Sequence, residues 1–106
     1  MNQPQIEARL LGAFYHTSGA FPIHPGCDQM MRDLIRDGAA SMVQSGNHAP
    51  DEVEKAVDSV TAFVLEMKEE SRSLGRDDIG EFTFGPVMSR LQSGQRQGWW
   101  PFSSKA

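Results

Sequence analysis

Apolar residues recur at the i, i+3, i+4, i+7 spacing of a single helix face along most of this chain, and the clearest run lies between Pro50 and Leu74. Val53, Ala56, Val57, Val60, Phe63, Val64, Met67 and Leu74 make its stripe. Pro50 suits the first helical position, where its missing N–H costs nothing. Asp51, Glu52 and Glu54 follow, and carboxylates there favour the positive end of the helix dipole. Gly75 suits the residue just past the end, which closes the last turn with φ > 0. A stripe this long must be covered, so the other segments are read as its cover.

Residues 4–15 predict a first helix, with Ile6, Leu10, Leu11, Phe14 and the ring of Tyr15 on one face and Glu7 and Arg9 opposite. Gly12 weakens it, and a close crossing by another helix would explain the residue. Residues 16–26 carry two prolines and two glycines and read as loop, with Phe21 and Ile23 as apolar anchors. Residues 27–45 predict a second long helix. Its stripe is Cys27, Met30, Met31, Leu34, Ile35, Met42 and Val43, with Gly38 on it. Asp28–Arg32 is an i, i+4 pair of favourable sign. Gly46-Asn47 ends this helix, and the short link to Pro50 predicts an antiparallel hairpin of the second and third helices.

Residues 77–93 keep a helical period at Ile79, Phe82, Val87, Arg90 and Leu91, with Asp77 or Asp78 as a cap. Pro86 would clash with the carbonyl of residue 82 in an unbroken helix. The expectation is a turn of helix over 78–84, a break, and a helix from Pro86 to Ser93. A strand at Glu81–Phe84 is the lesser alternative, from the alternation EFTF. The expected fold class is therefore all-α: a small helical bundle of three long helices plus a broken fourth. Residues 1–93 form its single domain, and residues 94–106, GQRQGWWPFSSKA, form a flexible aromatic tail.

Composition narrows the function classes. At 106 residues the chain is long enough for one domain with its own core. The net charge of −4 gives no support to nucleic-acid binding, which needs clustered Lys and Arg. The whole imbalance sits on the central helix, where Asp51, Glu52, Glu54, Asp58, Glu66, Glu69 and Glu70 face Lys55, Lys68 and Arg72. Either this is a solvated outer face, or it docks on a basic partner or imitates DNA. Glu66 and Glu70, at i, i+4, repel each other on that wet face. A single cysteine excludes an internal disulfide and points to a reducing compartment. The N-terminus lacks a secretory pattern and no apolar run spans a bilayer, so the cytoplasm is expected, with no membrane contact.

Candidate chemistry is sparse. His24, Cys27, His16 and His48 are the transition-metal candidates, with His24 and Cys27 foremost, three residues apart in HPGC. Zinc needs three or four converging N/S ligands, and these spacings match no finger or ribbon. Cys27 in a first helical turn would have its thiol pKa lowered by the dipole, but it also begins the apolar stripe of its helix, which favours burial as a small hydrophobe. As a Cys–His nucleophile pair the two residues lack an orienting partner in the sequence. No phosphate loop, dinucleotide glycine pattern, GxSxG or HExxH occurs. No catalytic residues, cofactor or metal are assigned, and no enzyme activity is expected.

Two features point outward. Leu65 lies on the far side of the central helix from its stripe, between Asp58 and Arg72, with Ala62 near it. Trp99, Trp100 and Phe102 put three aromatic rings in four residues, and each could bury ~150–250 Å². Leu65, Trp99, Trp100 and Phe102 are the expected partner interface. The expected function is a small non-catalytic protein–protein interaction or regulatory module, with another protein or a second copy as partner and a homodimer as the expected state. The alternatives are an acidic inhibitor or nucleic-acid mimic that blocks a basic site on another protein, and a small-molecule or metal-binding bundle.

Overall fold

The computed structural model describes residues 1–93, an all-α fold of four helices: α1 (Gln3–Ser18), α2 (Pro25–Gln44), α3 (Pro50–Ser73) and α4 (Glu81–Ser93). The aromatic tail, with Trp99, Trp100 and Phe102, lies outside the described residues.

Local chemistry sets most helix ends. Asn2 Oδ1 accepts from the Gln5 N–H at 2.9 Å, and Gln5 Oε1 accepts from the Asn2 N–H at 3.0 Å, a reciprocal capping box. α2 and α3 close alike. Beyond α2, Gly46 (φ 82°) donates to the Val43 carbonyl and Asn47 to that of Met42. Beyond α3, Gly75 (φ 74°) donates to Arg72 and Arg76 to Ser71. Both are Schellman closures, which need the left-handed conformation at the glycine. α1 runs three residues past the expected end at Tyr15. The Ser18 hydroxyl donates to the Phe14 carbonyl at 2.7 Å, and Lys68 Nζ, from α3, donates to the Thr17 carbonyl at 3.0 Å. A cation at a helix C-terminus satisfies orphan carbonyls and complements the dipole.

α1 packs on α2 and α3, and α4 packs on α3 and more lightly on α2. α2 and α3 are not backbone neighbours, which corrects the expected hairpin. They occupy diagonal positions, because Ile6, Leu10 and Phe14 of α1, all fully buried, supply the apolar surface each needs beside it. The core otherwise follows the stripes: Met31, Ile35 and Met42 from α2, and Val53, Val60, Phe63, Val64 and Met67 from α3. Val57 is half-buried, at the edge of the core. The Phe63 and Phe84 rings meet edge to face at 5.5 Å.

The loops at one end of the bundle are stitched together. Ile23 and Ile79 form a parallel bridge, with Ile79 N–H donating to Pro22 O at 2.9 Å and His24 N–H to Ile79 O at 2.8 Å. Phe21, half-buried as expected, has the Lys68 ammonium 5.2 Å and the Arg72 guanidinium 5.3 Å from its ring centre, within cation–π range.

α4 corrects one expectation, the break, and bears out another, helix in preference to strand at Glu81–Phe84. It is continuous from Glu81 through Pro86, and Glu81–Phe84 is helix rather than strand. Gly85 permits the continuity. The residue before a proline is driven from the helical region partly by its Cβ, and Gly85 has none. The start of α4 is held by Thr83, whose hydroxyl donates to Gly80 O at 2.8 Å and accepts from Gly80 N–H at 3.2 Å. Asp78, expected as the cap, is engaged elsewhere.

Candidate functional site

Two regions compete. The first is the loop junction that gathers His24, Cys27, Arg76, Asp78, Glu81 and Phe82. Pro25 starts α2 two residues earlier than expected, which brings His24 to the cap position and Cys27 into the first turn. His24 Nε2 meets Asp78 Oδ2 at 2.9 Å. Arg76 grips the same carboxylate with Nε and Nη2, each at 2.9 Å, and its guanidinium stacks 4.1 Å from the Phe82 ring centre. Hydrogen bonds from the Arg76 guanidinium and then from His24 favour the ionised acid, so Asp78 is held down to about 2.

A cavity of about 460 Å³ opens here, lined by His24, Gly26, Cys27, Glu81 and Phe82. The thiol beside it is unsuited to attack. Cys27 is fully buried and its pKa is pushed up to about 11, mainly by desolvation and further by Asp28 and Glu81. Burial is what the place of Cys27 at the start of the α2 stripe implied, and loss of water together with two nearby carboxylates works against the lowering a first-turn dipole would give. His24 does gain the orienting carboxylate that the sequence left unseen, in Asp78. Its ring is also pressed on the Gly80 backbone, where an added Cβ would sit 3.1 Å from Cγ and Nδ1 and 2.7 Å from Phe82 Cε2. The junction is thus a clamp between loops. Among the described residues no three His, Cys, Asp or Glu side chains gather at metal-binding distance, and the candidates His24 and Cys27 are not joined by His16 or His48.

The second region is an open groove of about 590 Å³ between α1 and α3. Its walls are mostly small or apolar: Ala8, Gly12 and Ala13 from α1, Val57 and Thr61 from α3, and Met1 at one end. Gly12 faces open space, with nothing within 4 Å of where a Cβ would be, so the expected close crossing at Gly12 is absent and the residue shapes the groove instead. Val57, Thr61 and Leu65 follow at i, i+4 along one edge of α3, so the groove leads onto Leu65. Leu65 is 53% exposed, and Ala62 beside it is exposed too. The sequence signalled Leu65 but not the groove. Its trace in the sequence was the small-residue spacing Ala8, Gly12, Ala13 on α1.

The acidic face of α3 is largely answered within the chain. Arg9 of α1 pairs with Glu54, Lys55 with Glu52, and Arg72 with Glu69. Arg90 of α4 bridges Glu66 at 3.3 Å and Glu70 at 3.2 Å, so the two carboxylates expected to repel share a cation. No helix among the described residues is long and apolar enough to cross a membrane.

Comparison with protein-family models, with curated proteins and with solved structures gave no significant match to this chain.

Proposed function

We propose that this protein is a small non-catalytic interaction or regulatory module that pairs with another protein, in the first instance a second copy of itself, through the α1/α3 groove and the strip at Leu65. The observation that carries the reading is the placement of Leu65, 53% exposed, in line with the apolar edge of the groove. An apolar surface continuous over two helices favours a partner more than scattered exposed hydrophobes do. A two-fold dimer, in which one patch meets itself, is the simplest partner arrangement, and a stable one buries at least ~1,000 Å² in total. Trp99, Trp100 and Phe102 are the proposed anchors from outside the described residues. The buried thiol suits a reducing compartment, and we place the protein in the cytoplasm.

The acidic-mimic reading is less favoured, because Glu52, Glu54, Glu66, Glu69 and Glu70 already meet bases of their own chain. The test is sedimentation equilibrium on the intact chain and on Leu65→Glu, in low and high salt. A salt-tolerant dimer weakened at least tenfold by Leu65→Glu supports the reading. A monomer at high micromolar concentration overturns self-association.

A further inference from the structure

We infer that α4 is a detachable strap: it leaves the bundle in a local opening that the other three helices survive, and in leaving it uncovers the Cys27 thiol and the Phe63 ring. The inference stands apart from the α1/α3 groove, to which no described residue of α4 contributes.

α4 is the least anchored of the four helices. Among the described residues Val87 is its one buried apolar side chain, against three on α1, five on α2 and six on α3. Phe82, Phe84 and Met88 are half-buried. Few buried apolar contacts mark a segment that opens below the free energy of global unfolding. The backbone of α4 compensates little. Its 13 residues are marginal for a helix without packing, Pro86 takes one donor from the ladder, and Gly85 beside it is a weak helix former.

The fastenings of α4 are polar and wet. Arg90 is exposed where it holds Glu66 and Glu70, and exposed ion pairs contribute little. Arg76 is exposed where it stacks on Phe82, and α4 packs on α2 only lightly. The base of the strap is firmer. Ile79 is fully buried, its N–H donates to Pro22 O, and its carbonyl accepts from His24. The opening is therefore confined to the chain after Ile79.

What the strap covers is specific. Glu81 and Phe82 line the same cavity as Cys27, and Glu81 Oε2 would lie 3.1 Å from a Cβ on Gly26, so the first turn of α4 rests on the first turn of α2. Phe84 closes on Phe63 edge to face at 5.5 Å. With α4 away, water reaches the thiol and the Glu81 carboxylate withdraws. Both changes favour the thiolate, so the opening turns an inert thiol into a reactive one.

Cys27 is the one cysteine of the chain, so thiol labelling reads this opening without an added probe. The experiment labels the full-length protein and full-length Pro86→Ala with a maleimide at neutral pH, in rising sub-denaturing urea. Urea unfolding supplies the global opening of each, and hydrogen exchange of the wild type by NMR follows the backbone. The expected labelling is at least tenfold faster than global unfolding allows and depends weakly on urea, because little surface is exposed. The amides of α4 should exchange at least tenfold faster than the slowest of α1 and α3. Pro86→Ala should slow the labelling by about 5- to 150-fold, the reach of the proline penalty. Labelling at the rate set by global unfolding overturns the inference. Fast labelling with α4 amides as protected as those of α3 overturns it too, and places the opening in the first turn of α2. Fast labelling unmoved by a folded Pro86→Ala also overturns it. Should that variant not fold, labelling and exchange of the wild type decide by the first two outcomes.

Discussion

His24 Nε2 lies 2.9 Å from Asp78 Oδ2, a contact across 54 positions that ties the segment ahead of α2 to the segment ahead of α4. Arg76 holds the same carboxylate from its other side and stacks on Phe82. The three groups, with the Ile23–Ile79 bridge below them, make one clamp at the end of the bundle.

The clamp predicts an acid-sensitive stability. Asp78 is held down to about 2, whereas an aspartate in an unfolded chain titrates near ~4. A depressed carboxylate stabilises the fold above its unfolded value, and the contribution is lost as pH falls through the folded one. Asp78 should therefore lose its contribution between about pH 4 and pH 2. Urea midpoints measured across that window should fall more steeply for the wild-type protein than for Asp78→Asn. Parallel profiles would remove Asp78 from the account.

Cys27 predicts a silent thiol. It is fully buried, with a pKa pushed up to about 11 by desolvation and then by Asp28 and Glu81. The thiolate is the reactive form, so alkylation at neutral pH should be at least tenfold slower in the native protein than in denaturant. Equal rates in the two states would mean that α2 opens freely at its first turn.

The glycines of the two candidate regions predict opposite signs. Gly12 lies in a helix interior with open space beside it, so Gly12→Ala should stabilise by about 1 kcal/mol. Gly80 is pressed by Phe82 and His24, so Gly80→Ala should cost about 1–3 kcal/mol as those rings are pushed aside. Chemical denaturation of the pair measures both, and a neutral Gly80→Ala would show that the rings yield without resistance.

The contrast shows what the chain reveals in its order of residues. Val60, Phe63 and Met67 recur at helical spacing and all are fully buried, because a long stripe leaves only one way to leave water. Gly46 and Gly75 close their helices as expected, since that geometry is local. The misses are contacts between segments. Lys68 extends α1 by reaching Thr17, Ile23 finds Ile79, Arg90 reconciles Glu66 with Glu70, and α1 takes the place expected of α2 beside α3. None of these leaves a periodic trace. The groove needs two helices to exist, so Ala8, Gly12 and Ala13 could be read as weak helix formers but not as one wall of a cleft.

Phe63 tests the central packing. It is fully buried and meets Phe84 edge to face at 5.5 Å, so Phe63→Ala should cost about 3–5 kcal/mol in denaturant unfolding. Val57→Ala, at the half-buried edge, should cost clearly less. A loss below about 1 kcal/mol at Phe63 would mean that the core closes over the gap almost completely.

The last prediction concerns Gly85 and Pro86, the pair that corrected the broken-helix expectation. Pro86 sits inside α4, where it has no N–H to offer the carbonyl of Phe82. Pro86→Ala supplies that donor and removes the ring, and it should stabilise α4 by about 1–3 kcal/mol, the upper value being the full proline penalty of a helix interior. Gly85 is exposed and has open space around it, so by helix propensity alone Gly85→Ala would be favourable by about 1 kcal/mol. With Pro86 in place the sign should reverse, because the new Cβ meets the proline Cδ and drives residue 85 out of the helical region. The two substitutions should therefore be strongly non-additive: Gly85→Ala destabilises the wild-type chain and stabilises Pro86→Ala. Helix content by circular dichroism and denaturant midpoints for the four proteins of the cycle measure the coupling. An additive cycle would mean that the missing Cβ of Gly85 is not what carries α4 through its proline.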